Sequence, residues 1–220
     1  MDRLLMFSVV LLCPWFGRAQ NVWKDVYRES AWEARDKWQR PAEIVGRLAL
    51  RAGDKVADVG CHEGYFTLKL AAEVGDAGRV YAVDIDRDKL DKLKGHLSER
   101  NITNVIIVKG DEDDPKLPVG ALDAVLIVDT YHEMDAHDEI LRRIKASLKH
   151  GGRLVICEPV SEASRKLTRA DQEKKHELGM AYAIADLEKA GFKITFKKDP
   201  FVDRTQEKGD EMWIIVAEKH

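Results

Sequence analysis

The sequence predicts an α/β fold: a seven-stranded, mostly parallel sheet with its last strand antiparallel, covered on both faces by helices and preceded by an N-terminal helical cap. Three observations predict it. From Lys55 onward, short Val/Ile-rich runs alternate with amphipathic segments, the pattern of strands buried on both faces and joined by crossover helices. A glycine turn, "DVGCHEG", closes the first of these runs. The final two strand-like runs have no helix between them, which makes them an antiparallel pair.

The first twenty residues stand apart from this pattern. In "MDRLLMFSVVLLCPWFGRAQ" a basic Arg3 precedes an apolar run from Leu4 to Cys13, Pro14 interrupts it, and Gly17 and Ala19 offer small residues for cleavage. The run is short for a bilayer-spanning helix. Residues 1–19 are therefore expected to be a signal peptide, exporting the chain to a periplasm or beyond. The alternatives are an uncleaved membrane anchor or a misread start and a cytoplasmic chain. No membrane span is expected after this leader.

Residues 20–51 are expected to form the helical cap. Helical patterning over 23–50 carries Trp23, Tyr27, Trp32 and Trp38, which pack the cap on the main domain, and Pro41 in "WQRP" ends one helix and starts the next. The main domain, 52–220, begins with five strand candidates: "KVADVG", "RVYAVDI", "NVIIVKGD", "ALDAVLIVDT" and "GRLVICEP". Helices are expected at 65–74, 87–100 and 136–149, with "KHGG" as a stop and turn after the third. Residues 169–190 read as one long helix ending at Gly191. "FKITFKKD" and "MWIIVAEK" then form the closing pair, joined by a polar loop containing Pro200 and Gly209.

Bulk properties fit a single domain. The chain has 220 residues, 45% of them apolar, enough for a substantial core. A net charge of -3 with 34% charged residues leaves no basic excess, which argues against nucleic acid as a partner. Cys61 and Cys157 lie at the ends of strands that the architecture separates by a third. At about 4.8 Å per strand they are too far apart for a disulfide. They read as structural thiols.

In open sheets of this kind, ligands bind beyond the carboxyl ends of the strands, near the reversal of strand order. The glycine turn belongs there, and Gly60 and Gly64 let a ligand approach the backbone. Asp58, just before the first glycine, sets the ligand's charge. It would repel a pyrophosphate but attract an amino acid ammonium or a sulfonium. S-adenosylmethionine combines those cations with an adenosine. Asp84, ending the second strand, can accept from both hydroxyls of a ribose. Asp111 or Glu112, after the third, can accept from an adenine amino group. The acidic run that holds this last pair reads equally well as a solvated turn.

With these residues in place, the sequence resembles class I S-adenosylmethionine-dependent methyltransferases over nearly all of 35–219. The matching pieces are "VADVGCHEGYFTLKLA", "VYAVDID", "KGDEDD", "LDAVLIVDTYHEM", "LKHGGRLVICEP" and the closing hairpin. "RDKWQRP" with "DTYHE" resembles a bacterial branch described only as methyltransferase-domain proteins. The resemblance implies a Rossmann-like three-layer sandwich and makes Asp58, Gly60, Gly64, Asp84 and Asp111 cofactor-binding positions, with Ile85, Glu112 and Asp129 as neighbouring candidates. One departure is His62, which stands where the family has its middle glycine and either crowds the cofactor or points to solvent.

The fourth strand ends in "IVDTYHEMDAH", the densest polar cluster in the chain. His132 is the candidate general base for an acceptor that must lose a proton, with Glu133 and Asp129 as alternatives. Each could instead be a wall or capping residue. Tyr131 is expected to shape the pocket. His132 and His137 are five apart rather than four, which puts them on different helix faces and argues against zinc; no metal is expected. His176 and Tyr182, on the long helix, and Arg204, in the hairpin loop, are candidates for substrate choice. The expected function is methyl transfer to a small-molecule acceptor. Two alternatives stay open, a non-catalytic adenosyl-ligand binder and an NAD-binding oxidoreductase. The oxidoreductase conflicts with Asp58 and the missing middle glycine.

Overall fold

The computed structural model of the protein describes residues 27–220, so the leader and Trp23 lie outside the described residues. Two short helices open the described chain, α1 (Trp32–Gln39) and α2 (Pro41–Gly46). Arg40 between them is left-handed, with φ of 55°. Pro41 occupies the first turn of α2, where its missing N–H costs nothing.

Seven strands follow: β1 (Lys55–Val59), β2 (Arg79–Asp84), β3 (Val105–Lys109), β4 (Leu122–Val128), β5 (Leu148–Val160), β6 (Lys193–Arg204) and β7 (Asp210–Glu218). The connecting helices are α3 (Tyr65–Val74), α4 (Arg87–Glu99), α5 (His137–Ser147), α6 (Arg169–Glu173) and α7 (Met180–Lys189). The sheet runs β3-β2-β1-β4-β5-β7-β6. β7 inserts between β5 and β6 and is antiparallel to both. Strand order reverses between β1 and β4, which pair in parallel, so their carboxyl ends open a crevice.

Alternation along the strands builds a core on each face. Ala57, Val125, Ile127, Leu154 and Ile156 meet Leu141 and Ile144 of α5 on one side. Val56, Ala124, Leu126 and Val155 meet Ile44 of α2 and Leu70 and Val74 of α3 on the other. Leu90, Leu93 and Leu97 of α4 pack on Ala82 and Cys61. The helix begins cleanly because the Asp86 carboxylate accepts from the N–H groups of Asp88 and Lys89. Among the described residues no helix is long and apolar enough to cross a membrane. Cys61, in the turn after β1, and Cys157, on β5, are buried free thiols, and β4 lies between those two strands.

Three expectations are corrected. Residues 169–190 are not one helix but two, α6 and α7. The chain leaves α6 to bury Leu178 against the sheet, where its N–H donates to Pro159 O at 2.9 Å and its carbonyl accepts from Trp213 Nε1 at 2.6 Å. "KHGG" is not a separate turn, because β5 already begins at Leu148, paired with Leu122. The closing loop is shorter than expected. Phe201 and Val202 are buried in the core, which draws the chain past Pro200 back onto β7 after a break in the ladder, so Arg204 ends β6 opposite Asp210.

Candidate active site

The carboxyl ends of β1 to β4 surround a cavity of about 820 Å³. Gly60, with φ of +81°, turns the chain sharply after β1, and the N–H groups of Gly60 and Cys61 donate to Val83 O at 2.8 and 3.0 Å. A side chain at Gly60 would collide with Thr130, whose Cγ2 lies 2.2 Å from the place of a Cβ. The Asp84 carboxylate holds the turn from the other side. One oxygen accepts from His62 N and the other from Asp86 N, both at 2.8 Å. Each oxygen keeps lone-pair capacity toward the cavity.

Asp58 is 3% exposed and accepts from Thr67 Oγ1 at 2.6 Å. Burial pushes its carboxyl up to about 6 against the lowering effect of the threonine bond, and the nearby Asp84 adds to the rise. Asp111 and Glu112 line the outer rim and are exposed. Asp111 pairs with Lys116 at 2.8 Å, and the lysine's hydrogen bond lowers its carboxyl. Ile85, 55% exposed, offers an apolar surface on the same wall.

His62 takes the left-handed conformation a glycine would favour, with φ of +51°. Its ring neither projects freely into solvent nor stands alone, but packs on Tyr27 with centroids 5.3 Å apart at the cavity wall. Burial, assisted by Lys89, lowers its pKa to about 4. The ring is neutral at pH 7 and brings no charge against a cationic ligand.

Tyr27 reaches into the site from the N-terminal segment. Its hydroxyl donates to Asp129 at 2.6 Å and accepts from Lys208 Nζ at 3.0 Å. Arg35 of α1 stacks over the Tyr65 ring at 4.1 Å and faces Tyr27 at 5.2 Å. Trp32 instead packs on Tyr65 and His96 outside the cavity.

The polar cluster after β4 is organised by a residue that sequence reasoning missed. Glu158, fully buried near the end of β5, accepts from the N–H groups of Thr130 at 2.6 Å, Tyr131 at 2.9 Å and His132 at 3.3 Å. It also lies 2.5 Å from His132 Nδ1. The strand-end rule applied to β1, β2 and β3 would have found it in "ICEP". Burial disfavours the His132 imidazolium, but the Glu158 charge and the bonds to Glu133 and Glu158 raise its pKa to about 10. Glu133 is ionised, its carboxyl lowered to about 2 chiefly by the hydrogen bond from His132. Its Oε1 lies 3.2 Å from His132 Nε2 and also meets His176 Nδ1.

The candidate residues thus separate into groups. Asp58, Gly60, Asp84, Ile85, Asp111, Glu112, Asp129, His132, Glu133 and His176 line the cavity. Gly64 does not; it starts α3 with φ of +100° and packs against Leu93. Tyr131 turns away from the cavity into the core, where its hydroxyl donates to Asp186 at 2.9 Å. Arg204 is buried behind the wall and binds Asp129 at 2.7 Å and Asp210. Although burial favours the acid form of Asp129, Arg204 and Lys208 hold its carboxyl far below the usual range. It is a counter-ion rather than a base. The raised pKa of His132 favours its protonated form at neutral pH, which works against a role as general base. His176 lies in the turn between α6 and α7, not on a helix, with φ of +58°. Tyr182 is on α7, its hydroxyl 3.4 Å from Leu167 O.

Residues 50–216 match the model of a family described as "Methyltransferase domain". The chain is 29% identical over 113 residues to an aklanonic acid methyltransferase of a Streptomyces species, covering 50% of each. It is 28% identical over 160 residues to a ubiquinone/menaquinone biosynthesis C-methyltransferase of Pseudomonas putida, covering 72% of this chain and 58% of that protein. The chain spans about half the length of the curated relatives it matches. Among solved structures, a SAM-dependent methyltransferase from Aquifex aeolicus superposes with a TM-score of 0.69 at 21% identity, over 82% of this chain and 89% of that one. A geranyl diphosphate C-methyltransferase from Streptomyces coelicolor gives 0.68 at 14% identity, over 83% and 80%. These likenesses establish the Rossmann-like fold.

Proposed function

The chain belongs to the methyltransferase-domain family, and from that premise we propose that it transfers a methyl group from S-adenosylmethionine to a small-molecule acceptor. The observation that carries this reading is the convergence of Asp58, Asp84 and Asp111, from three adjacent strand ends, on one cavity around a glycine turn. These carboxylates, as hydrogen-bond acceptors, suit the cofactor piece by piece. Asp58 would face its cationic amino acid end, the free lone pairs of Asp84 the ribose hydroxyls, and Asp111 or Glu112 the adenine amino group, with Ile85 beneath the base. When bound, S-adenosylmethionine supplies a methyl group activated by its positive sulfur.

At the other end of the cavity, the His132 imidazolium and the Glu133 carboxylate form the wall an acceptor would meet. His132 acts as a hydrogen-bond donor that orients an acceptor oxygen, held in place by Glu158. Such a site suits an acceptor that arrives ionised or with an already nucleophilic carbon. The relatives named for quinone and aklanonic acid methylation support a small molecule of this kind.

The test is calorimetric titration of the full chain with S-adenosylmethionine, S-adenosylhomocysteine and NADH, with Asp84→Ala as control. Binding of both adenosyl ligands but not NADH, lost in the variant, supports the reading. A folded protein that binds neither, or prefers NADH, refutes it. Binding without transfer to any ionisable small acceptor would instead favour a non-catalytic binder.

A further inference from the structure

Three potential metal ligands converge at the acceptor end of the cavity. His132 Nε2 and His176 Nδ1 both face Oε1 of Glu133, and the three ligand atoms lie within 4.8 Å of one another. The three residues come from two separate segments, the 3₁₀ turn after β4 and the turn between α6 and α7. The His132–His137 pair weighed from the sequence plays no part, since His137 faces Asp186 at 3.7 Å.

We propose that His132 Nε2, His176 Nδ1 and the Glu133 carboxylate form a binding site for a divalent transition-metal cation such as zinc. Bonds of about 2.0–2.1 Å to such an ion place tetrahedral ligands roughly 3.3 Å apart. The 3.2 Å between His132 Nε2 and Glu133 Oε1 already meets that spacing. Glu133 is half-exposed, so its carboxylate can swing back to admit the ion between the two rings. Two imidazoles and one carboxylate suit a borderline metal and leave a coordination position free.

The arrangement around His132 has the form expected of a metal-ligating histidine. Its other ring nitrogen, Nδ1, lies 2.5 Å from the buried Glu158 carboxylate. Such a partner keeps the Nδ1 proton in place, so that Nε2 can ligate once the ion displaces the proton it shares with Glu133. Glu158 is itself locked by three backbone N–H groups, so the imidazole is preset rather than selected on binding. All three ligands line the cavity, so an open coordination position would be reached from it. There the ion would bind an acceptor through a hydroxyl, phenol or thiol, the metal replacing the hydrogen bond that His132 donates in the metal-free site. This last step rests on the methyl-transfer reading; the metal site itself does not.

The experiment uses the full chain, stripped with chelator and titrated with Zn²⁺ by calorimetry and with Co²⁺ by visible absorption. S-adenosylhomocysteine binding is measured in parallel. One equivalent of Zn²⁺ and the intense visible bands of low-coordinate cobalt are expected. Affinity should fall at least tenfold in His176→Ala and in Glu133→Gln, both exposed positions whose circular dichroism should match wild type. Glu158→Gln should weaken the metal about 10–100-fold without removing a ligand. No stoichiometric binding, or equal affinity in wild type, His176→Ala and Glu133→Gln, overturns the site. Loss of S-adenosylhomocysteine binding with metal binding intact would overturn the methyl-transfer reading and leave the site standing.

Discussion

His132 Nδ1 and a carboxylate oxygen of Glu158 meet at 2.5 Å across 26 residues of sequence. The contact joins the ends of β4 and β5, two parallel neighbours, and gives the loop after β4 its shape. The same carboxylate accepts from three consecutive backbone N–H groups. One buried side chain thus positions the part of the cavity where an acceptor would bind.

Removing that carboxylate should be costly. Glu158→Ala leaves a buried imidazolium without its counter-charge and three N–H groups without an acceptor. A loss of about 3–5 kcal/mol is expected in urea denaturation. Glu158→Gln keeps an acceptor oxygen and should lose less. An unchanged midpoint for Glu158→Ala would show that the loop holds itself.

Asp58 should give cofactor affinity a pH dependence. Its carboxyl titrates near 6 in the fold and near 3.9 in an unfolded chain. The fold therefore holds this proton more tightly, and its stabilising contribution is complete below the unfolded value and lost as pH rises through about 6. Binding of a cationic ligand runs the other way, because it needs the ionised form. S-adenosylmethionine affinity should rise from pH 5 to 7 and then level off. Asp58→Asn should flatten that profile while raising ligand-free stability at pH 7 by up to about 3 kcal/mol. Calorimetric titrations and thermal melts across that range check both signs.

Arg204 should prove structural. It is fully buried and binds two carboxylates, Asp129 and Asp210. Arg204→Ala would strand both acids, and a destabilisation of about 3–5 kcal/mol is expected. A substrate-binding role predicts instead a normal melting temperature with a raised KM.

Gly60 should tolerate no side chain. A Cβ would sit 2.2 Å from Thr130 Cγ2, at a φ of +81° that L-residues avoid. Gly60→Ala should cost about 1–3 kcal/mol and weaken S-adenosylhomocysteine binding by displacing the turn. Gly75→Ala, where nothing lies within 4 Å of the added carbon, separates backbone strain from the clash: it should lose stability without losing ligand affinity.

The sequence by itself determined the alternation of strands and helices, because burial on both faces of a parallel sheet imposes apolar runs that are legible locally. It also placed Asp58, Asp84 and Asp111 at three consecutive strand ends, while the structure makes those strands neighbours in the sheet. Only the tertiary structure decided which polar groups meet. Tyr27 reaches Asp129 across 102 residues, and His176 reaches Glu133 across 43. Periodicity carries no information about such pairings. The same limit hid the split between α6 and α7, where burying Leu178 outweighed helical continuity, and the placement of Arg204, where burying Phe201 and Val202 carried β6 past Pro200. In each case the deciding energy is a long-range contact that no window of neighbouring residues contains.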